Sequence, residues 1–186
     1  MSLYLFSSEA HITLIAIVSS MLHELSHVLM AKAMGRSVRL ISFTAAGYAP
    51  AVSDGTAAGN FFIYAIGPLT NLTITLLAPF FIKGPYVFDI MGANLTLAVM
   101  NLLPLPYTDG DGIMGIILRK DHSARAKKAT AVINLLISLP IFVLFSAKFL
   151  GDESCFFSFF ISLVFLFVSI NRITEEKQRI QENTRE

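Results

Sequence analysis

The chain has 186 residues, of which 54% are hydrophobic and only 15% charged, with a net charge of +1. An average soluble domain carries about 25% charged residues. A mean hydropathy of +0.66, with 16 Phe and no Trp, therefore excludes an ordinary soluble globule and points to an integral membrane protein that has no call for nucleic acid as a partner. A single cysteine, Cys155, excludes an intramolecular disulfide.

Met1 to Ala10 is short and carries one acid, Glu9. No cleavable signal peptide is expected, because the first residues lack a basic stretch and the apolar run leads straight on. Ile12 to Met34 is long enough to span a hydrocarbon core of ~30 Å. Its formal charges are Glu24 and Lys32. Val38 to Ser53 is rich in β-branched residues and in turn formers, which predicts a short membrane-associated β-hairpin. Phe61 to Ile82 is a second span, interrupted by Gly67-Pro68 and Pro79, prolines that neighbouring helices can accommodate in a membrane. Val87 to Pro104 is a third span, with Asn94 and Asn101 as polar positions, and Pro104 and Pro106 stop it. Tyr107 to Gly112 reads as a loop and Ile113 to Leu118 as a short apolar segment. Val132 to Phe149 and Cys155 to Ile170 are a fourth and a fifth span, followed by a charged tail. The expected fold is thus an all-α polytopic membrane protein of about five transmembrane helices. Residues 1–118 form a core of three spans, and residues 119–186 hold two more and the tail.

With five spans, the segments after the first, third and fifth lie on one side of the membrane. Those segments hold Lys32, Arg36, Arg39, Arg119, Lys120, Arg125, Lys127, Lys128, Arg172, Lys177, Arg179 and Arg185, leaving Lys83 and Lys148 for the other. The positive-inside rule then places the N-terminus outside and the C-terminus in the cytosol, in a multi-pass protein of the plasma membrane.

His23-Glu24-Leu25-Ser26-His27 is the stretch that carries chemistry. Four residues apart on a helix, the two histidines share a face and can reach one metal ion. Glu24, about 100° round from His23, can touch a water on that metal. Shuffling this composition gives roughly 0.002 such motifs by chance. A pair of hydrogen-bonded core histidines is the bland alternative, and it leaves the cost of a glutamate inside an apolar span unexplained.

A catalytic zinc needs a third protein ligand. His11 is about 18 Å away along the helix, and His122 lies in a basic, solvated segment. Asp54 and Asp89 are possible. Asp109 and Asp111 are better placed, after a proline-terminated span on the histidine side, although an ordinary Asp-Gly turn would look the same. Local chemistry does not choose between these two. Asn71 and Asn101 sit in apolar spans, where interhelical hydrogen bonding is the commoner role and holding a substrate backbone or oxyanion the functional one. Gly67 and Gly92 read as packing positions.

These residues resemble a known family. His23-Glu-Leu-Ser-His27-Val-Leu-Met-Ala31-Lys-Ala-Met-Gly35 is similar to the HExxHxxxAxxxG signature of the site-2 proteases, the intramembrane zinc metalloproteases. Gly67-Pro-Leu-Thr-Asn71 is similar to the family's GPxxN element, and Asn101-Leu-Leu-Pro104-Leu-Pro106-Tyr-Thr-Asp109-Gly110 to its NxxPxPxxDG element, in the same order. The resemblance implies a zinc ion held by His23, His27 and Asp109, with Glu24 as general base and Asn71 and Asn101 near the substrate. It implies hydrolysis of membrane-embedded peptides; the charge distribution puts the cut near the cytosolic face, and a strand within Val38 to Ser53 is expected to pair with the extended substrate by β-addition. Where the family often has a second glycine after the Asp-Gly pair, this chain has Asp111. Two other classes compete: a small transporter or metal-handling protein, and an inactive scaffold that binds membrane peptides.

Overall fold

The computed structural model of the chain describes residues 2–36, 56–118, 124–151 and 156–183. Among these there are six helices and no strand: α1 (Ser2–Ala33), α2 (Ala57–Phe81), α3 (Val87–Leu102), α4 (Asp109–Leu118), α5 (Ala124–Gly151) and α6 (Phe156–Asn183). The hairpin expected within Val38 to Ser53 lies outside the described residues. Four stretches are long and apolar enough to cross a bilayer: Ala10–Ala33, Ala57–Phe81, Lys128–Gly151 and Ser158–Glu175.

The expected count of five spans is corrected to four of full length among the described residues, and α3 is the reason. Its 16 residues rise about 24 Å, short of a ~30 Å core. Leu103, ahead of Pro104, is extended at φ −64°, ψ 133°, because a following proline disfavours helical backbone. A second correction concerns residues 107–112. The carboxylate-rich stretch is not all loop; Asp109 opens α4. Two acids in a first turn interact favourably with the positive end of the helix dipole. Thr108 Oγ1 accepts from Asp111 N at 3.3 Å, as a capping side chain does.

The chain forms two compact units, Met1–Leu103 and Pro104–Glu186. In the first, α1, α2 and α3 all pack on one another. Thr56 caps α2 by accepting from Gly59 N at 3.2 Å. The helix then runs through Pro68, and Thr70, Thr73 and Thr75 fold their hydroxyls back onto the carbonyls of Ile66, Leu69 and Asn71. Asn94 Nδ2 on α3 donates to Ser19 Oγ on α1 at 2.9 Å, with both residues buried. Near the N-terminal part of α1, His11 Nε2 lies 3.1 Å from Asp89 Oδ2 and its ring meets Tyr86 edge-on.

In the second unit α5 packs on both α4 and α6. Ser138 Oγ donates to Ser169 Oγ at 3.0 Å, and the Phe149 and Phe159 rings stack at 5.0 Å. In both units the polarity is that of a protein dissolved in lipid. Ser19, Asn71, Thr75, Asn94, Asn134, Ser138, Ser162 and Ser169 are buried, while Leu76, Phe80, Phe81, Phe88, Leu136 and Leu150 are exposed. Hydrocarbon solvates apolar side chains as well as a core does, so polar hydrogen bonds and small residues hold such helices together.

Asn94→Ala removes the bond that joins α3 to α1. A loss of about 1 kcal/mol is expected, read as a lower midpoint of thermal unfolding in detergent; an unchanged midpoint would show that this bond contributes nothing.

Candidate metal centre

His23 and His27 sit one turn apart on α1, and both are buried, at 4% and 3% exposure. Their rings meet edge to face, with Nε2 atoms 3.2 Å apart. Each ring is held from its other nitrogen. His27 Nδ1 donates to the backbone carbonyl of Ile63 at 2.6 Å. His23 Nδ1 donates to Asn71 Oδ1 at 3.1 Å. Both acceptors belong to α2, so α1 supplies the rings and α2 sets their orientation.

The tautomers follow from these partners. A carbonyl oxygen can only accept, so the proton of neutral His27 is on Nδ1, and Nε2 presents its lone pair. With Asn71 Oδ1 as acceptor the same holds for His23. Two lone pairs then converge, and they cannot hydrogen-bond to each other. A cation between them would accept both lone pairs. With zinc–nitrogen bonds of about 2.0–2.1 Å in a tetrahedron, two imidazole nitrogens stand about 3.3 Å apart, which matches the observed pair. A metal-binding histidine normally gives its second N–H to a carbonyl or amide in this way. The donor set therefore fits a borderline-soft divalent ion such as zinc.

Gly67 makes room for the pair. A Cβ at that position would lie 2.4 Å from His27 Nε2 and 2.7 Å from His23 Cε1. No side chain can share that space with both rings as they stand. Gly67, read from the sequence as a packing position, is one, and what it packs against is the histidine pair. Glu24, next to His23, is exposed.

The other expected residues divide. Asn71 is joined to His23 directly, and its Nδ2 is buried without a hydrogen-bond partner among the described residues. Asn101 is half-buried and donates to Leu97 O of its own helix at 3.0 Å. Asp109 is in the second unit, buried at 7% exposure in the first turn of α4. Asp111 is committed elsewhere: its Oδ2 accepts from Arg172 at 2.7 Å and its Oδ1 from Asn134 at 3.2 Å. The Ile63 carbonyl had no signal in the sequence, since any residue supplies one.

Compared with models of protein families and with curated protein sequences, the chain matches none. Among solved structures it is similar to a site-2 protease from Methanocaldococcus jannaschii, at 25% sequence identity and a TM-score of 0.62. The match covers 86% of this chain and 76% of that one. The chain thus has a site-2-protease-like fold, in accord with the motif resemblance, and is an integral membrane protein.

Gly67→Ala should displace the imidazoles and weaken zinc binding by at least ~10-fold, the size of effect seen when groups around a metal site are disturbed. Chelator competition on purified protein would measure it, with helical circular dichroism unchanged. Wild-type affinity in the variant would place the metal elsewhere.

Proposed function

We propose that this protein is an intramembrane zinc metalloprotease of the site-2 type. The observation that carries the reading is the pair of Nε2 atoms 3.2 Å apart, each ring fixed through Nδ1 to an acceptor on α2. His23 and His27 would hold the metal, with Asp109 as the third ligand. The motif resemblance selects Asp109 over Asp111, and the bonds of Asp111 to Arg172 and Asn134 support the choice, because both of its oxygens are already engaged. Zinc, when bound, supplies a Lewis acid that polarises a carbonyl and makes water nucleophilic near neutral pH.

The chain's own residues do the rest. Glu24 accepts a proton from the attacking water and delivers it to the leaving amine, as a general base that becomes a general acid. Asn71 Oδ1 keeps His23 in the tautomer that presents Nε2. The buried Asn71 Nδ2 has a donor to offer a peptide carbonyl. Asn101, with its amide nitrogen turned to Leu97, has a carbonyl oxygen to offer a peptide N–H. The substrates in this reading are membrane-spanning or membrane-associated peptides, unwound before cleavage and cut near the cytosolic face. With α3 as a short fifth crossing, its ~24 Å matched by local thinning of the bilayer, the Lys and Arg distribution supports an N-terminus outside and a C-terminus in the cytosol, in a protein of the plasma membrane. A transporter or an inactive scaffold would leave the accessible Glu24 between the two histidines without a role.

Glu24→Gln keeps the volume of the side chain but cannot take up the proton. Zinc content should match wild type, while turnover of a membrane peptide should fall at least ~100-fold, the lower range for loss of a general base. Full activity would remove Glu24 from the mechanism. Orientation is tested by cysteine labelling in a Cys155→Ser background. A cysteine at Lys83 should react with an impermeant reagent added outside, and one at Gln178 should not; the opposite pattern would invert the topology.

A further inference from the structure

The second unit contains a half-buried polar cluster, built around the buried Asn134, that the proposed chemistry does not use. Asp111 Oδ2 accepts from Arg172 on α6 at 2.7 Å, and Asp111 Oδ1 accepts from Asn134 on α5 at 3.2 Å. Asn134 is fully buried, and its Nδ2 also donates to Pro104 O at 2.7 Å. The Arg172 guanidinium lies over the Tyr107 ring, 4.9 Å from its centroid. Tyr107 N donates to Asp111 Oδ2 at 3.4 Å. Four consecutive pieces of chain, the turn at 104–107, α4, α5 and α6, thus meet at one carboxylate.

The turn and helix gathered there are weak on their own. Tyr107 has φ +69°, a left-handed conformation that a bulky residue adopts only when its surroundings hold it. Helix α4 has ten residues, three of them Gly, and helices of that length are marginal even with good helix formers. Asp111 is the third residue of α4. From there it reaches back past the Thr108 cap to the Tyr107 amide, a variant of the reciprocal bonding of a capping box. Asp109 opens the same turn, about 200° round the helix from Asp111. The side of the turn that carries Asp111 is clasped by α5 and α6; the opposite side carries Asp109.

We propose that Arg172 and Asp111, with Asn134 between them, are positioning residues that fix the first turn of α4 and thereby the carboxylate of Asp109. The inference rests on the reading of Asp109 as third zinc ligand. It gives the C-terminal helix pair a part in building the metal site, and it assigns Asp111 to Arg172 rather than to the metal. Asp111→Asn keeps the shape of the side chain and removes its charge; Arg172→Gln removes the partner charge.

The test is zinc affinity by chelator competition on the full chain in detergent, with thermal unfolding recorded alongside. Asp111→Asn and Arg172→Gln should each weaken zinc binding ~10–100-fold, as losses around a metal site do, with helical content retained. The double variant should be no weaker than the poorer single, because both remove one interaction. Asp109→Ala should lose stoichiometric zinc. If either charge-removing variant that folds binds zinc like wild type while Asp109→Ala loses it, the positioning role is wrong and the ligand reading stands. Additive losses in the double variant would also overturn it, since the pair would then not act as one device. If Asp109→Ala keeps its zinc, the ligand reading falls and the inference with it.

Discussion

The hydrogen bonds from His23 Nδ1 to Asn71 Oδ1 and from His27 Nδ1 to the Ile63 carbonyl are the interactions on which the rest of the site depends. Each fixes a tautomer as well as a ring plane. Without them an imidazole can rotate and shift its proton, and the two Nε2 lone pairs need not converge. With them, the helix repeat that brings residues 23 and 27 to one face becomes a pair of nitrogens spaced for a metal. Gly67 follows from the same requirement, since α2 must come close enough for the Ile63 carbonyl and the Asn71 amide to reach the rings, and a Cβ would block that approach.

The solvent sets the second constraint. Apolar residues can face hydrocarbon at no cost, so burial of large aliphatic side chains does not drive these helices together. The described residues show the result: the fully buried side chains include Asn71, Asn94, Asn134, Ser138, Ser162 and Ser169, while phenylalanines and leucines line the outside. A polar group buried in this setting needs partners, and the partners specify which helices meet. Ser19 with Asn94 joins α1 to α3, Asn71 with His23 joins α2 to α1, and Ser138 with Ser169 joins α5 to α6. In the proposed function, stability and chemistry use the same kind of contact, and at Asn71 the same residue.

What the sequence made legible was chemistry with a fixed spacing. The histidine motif, the Gly67-to-Asn71 element and the proline-bounded stretch before Asp109 each place a few residue types at helical or turn intervals, and such intervals survive folding. The all-helical membrane class followed from composition. Span lengths were less legible, because hydropathy continues across Leu103 into Pro104 while the backbone conformation does not. The start of α4 was hidden by its glycines and aspartates, which favour turns alone but suit a capped first turn. Asp111 could not be told from Asp109 locally. The residues that engage Asp111, Asn134 and Arg172, lie 23 and 61 positions away and carry no motif.

The central claim is that the two imidazole Nε2 atoms hold a metal. X-ray absorption at the zinc edge of the purified, zinc-loaded protein measures this directly. Two imidazole shells at about 2.0–2.1 Å, completed by oxygen ligands and with no sulfur, are the result expected. A spectrum with one imidazole or none, or a protein that takes up no zinc while its helices stay intact, would contradict the account.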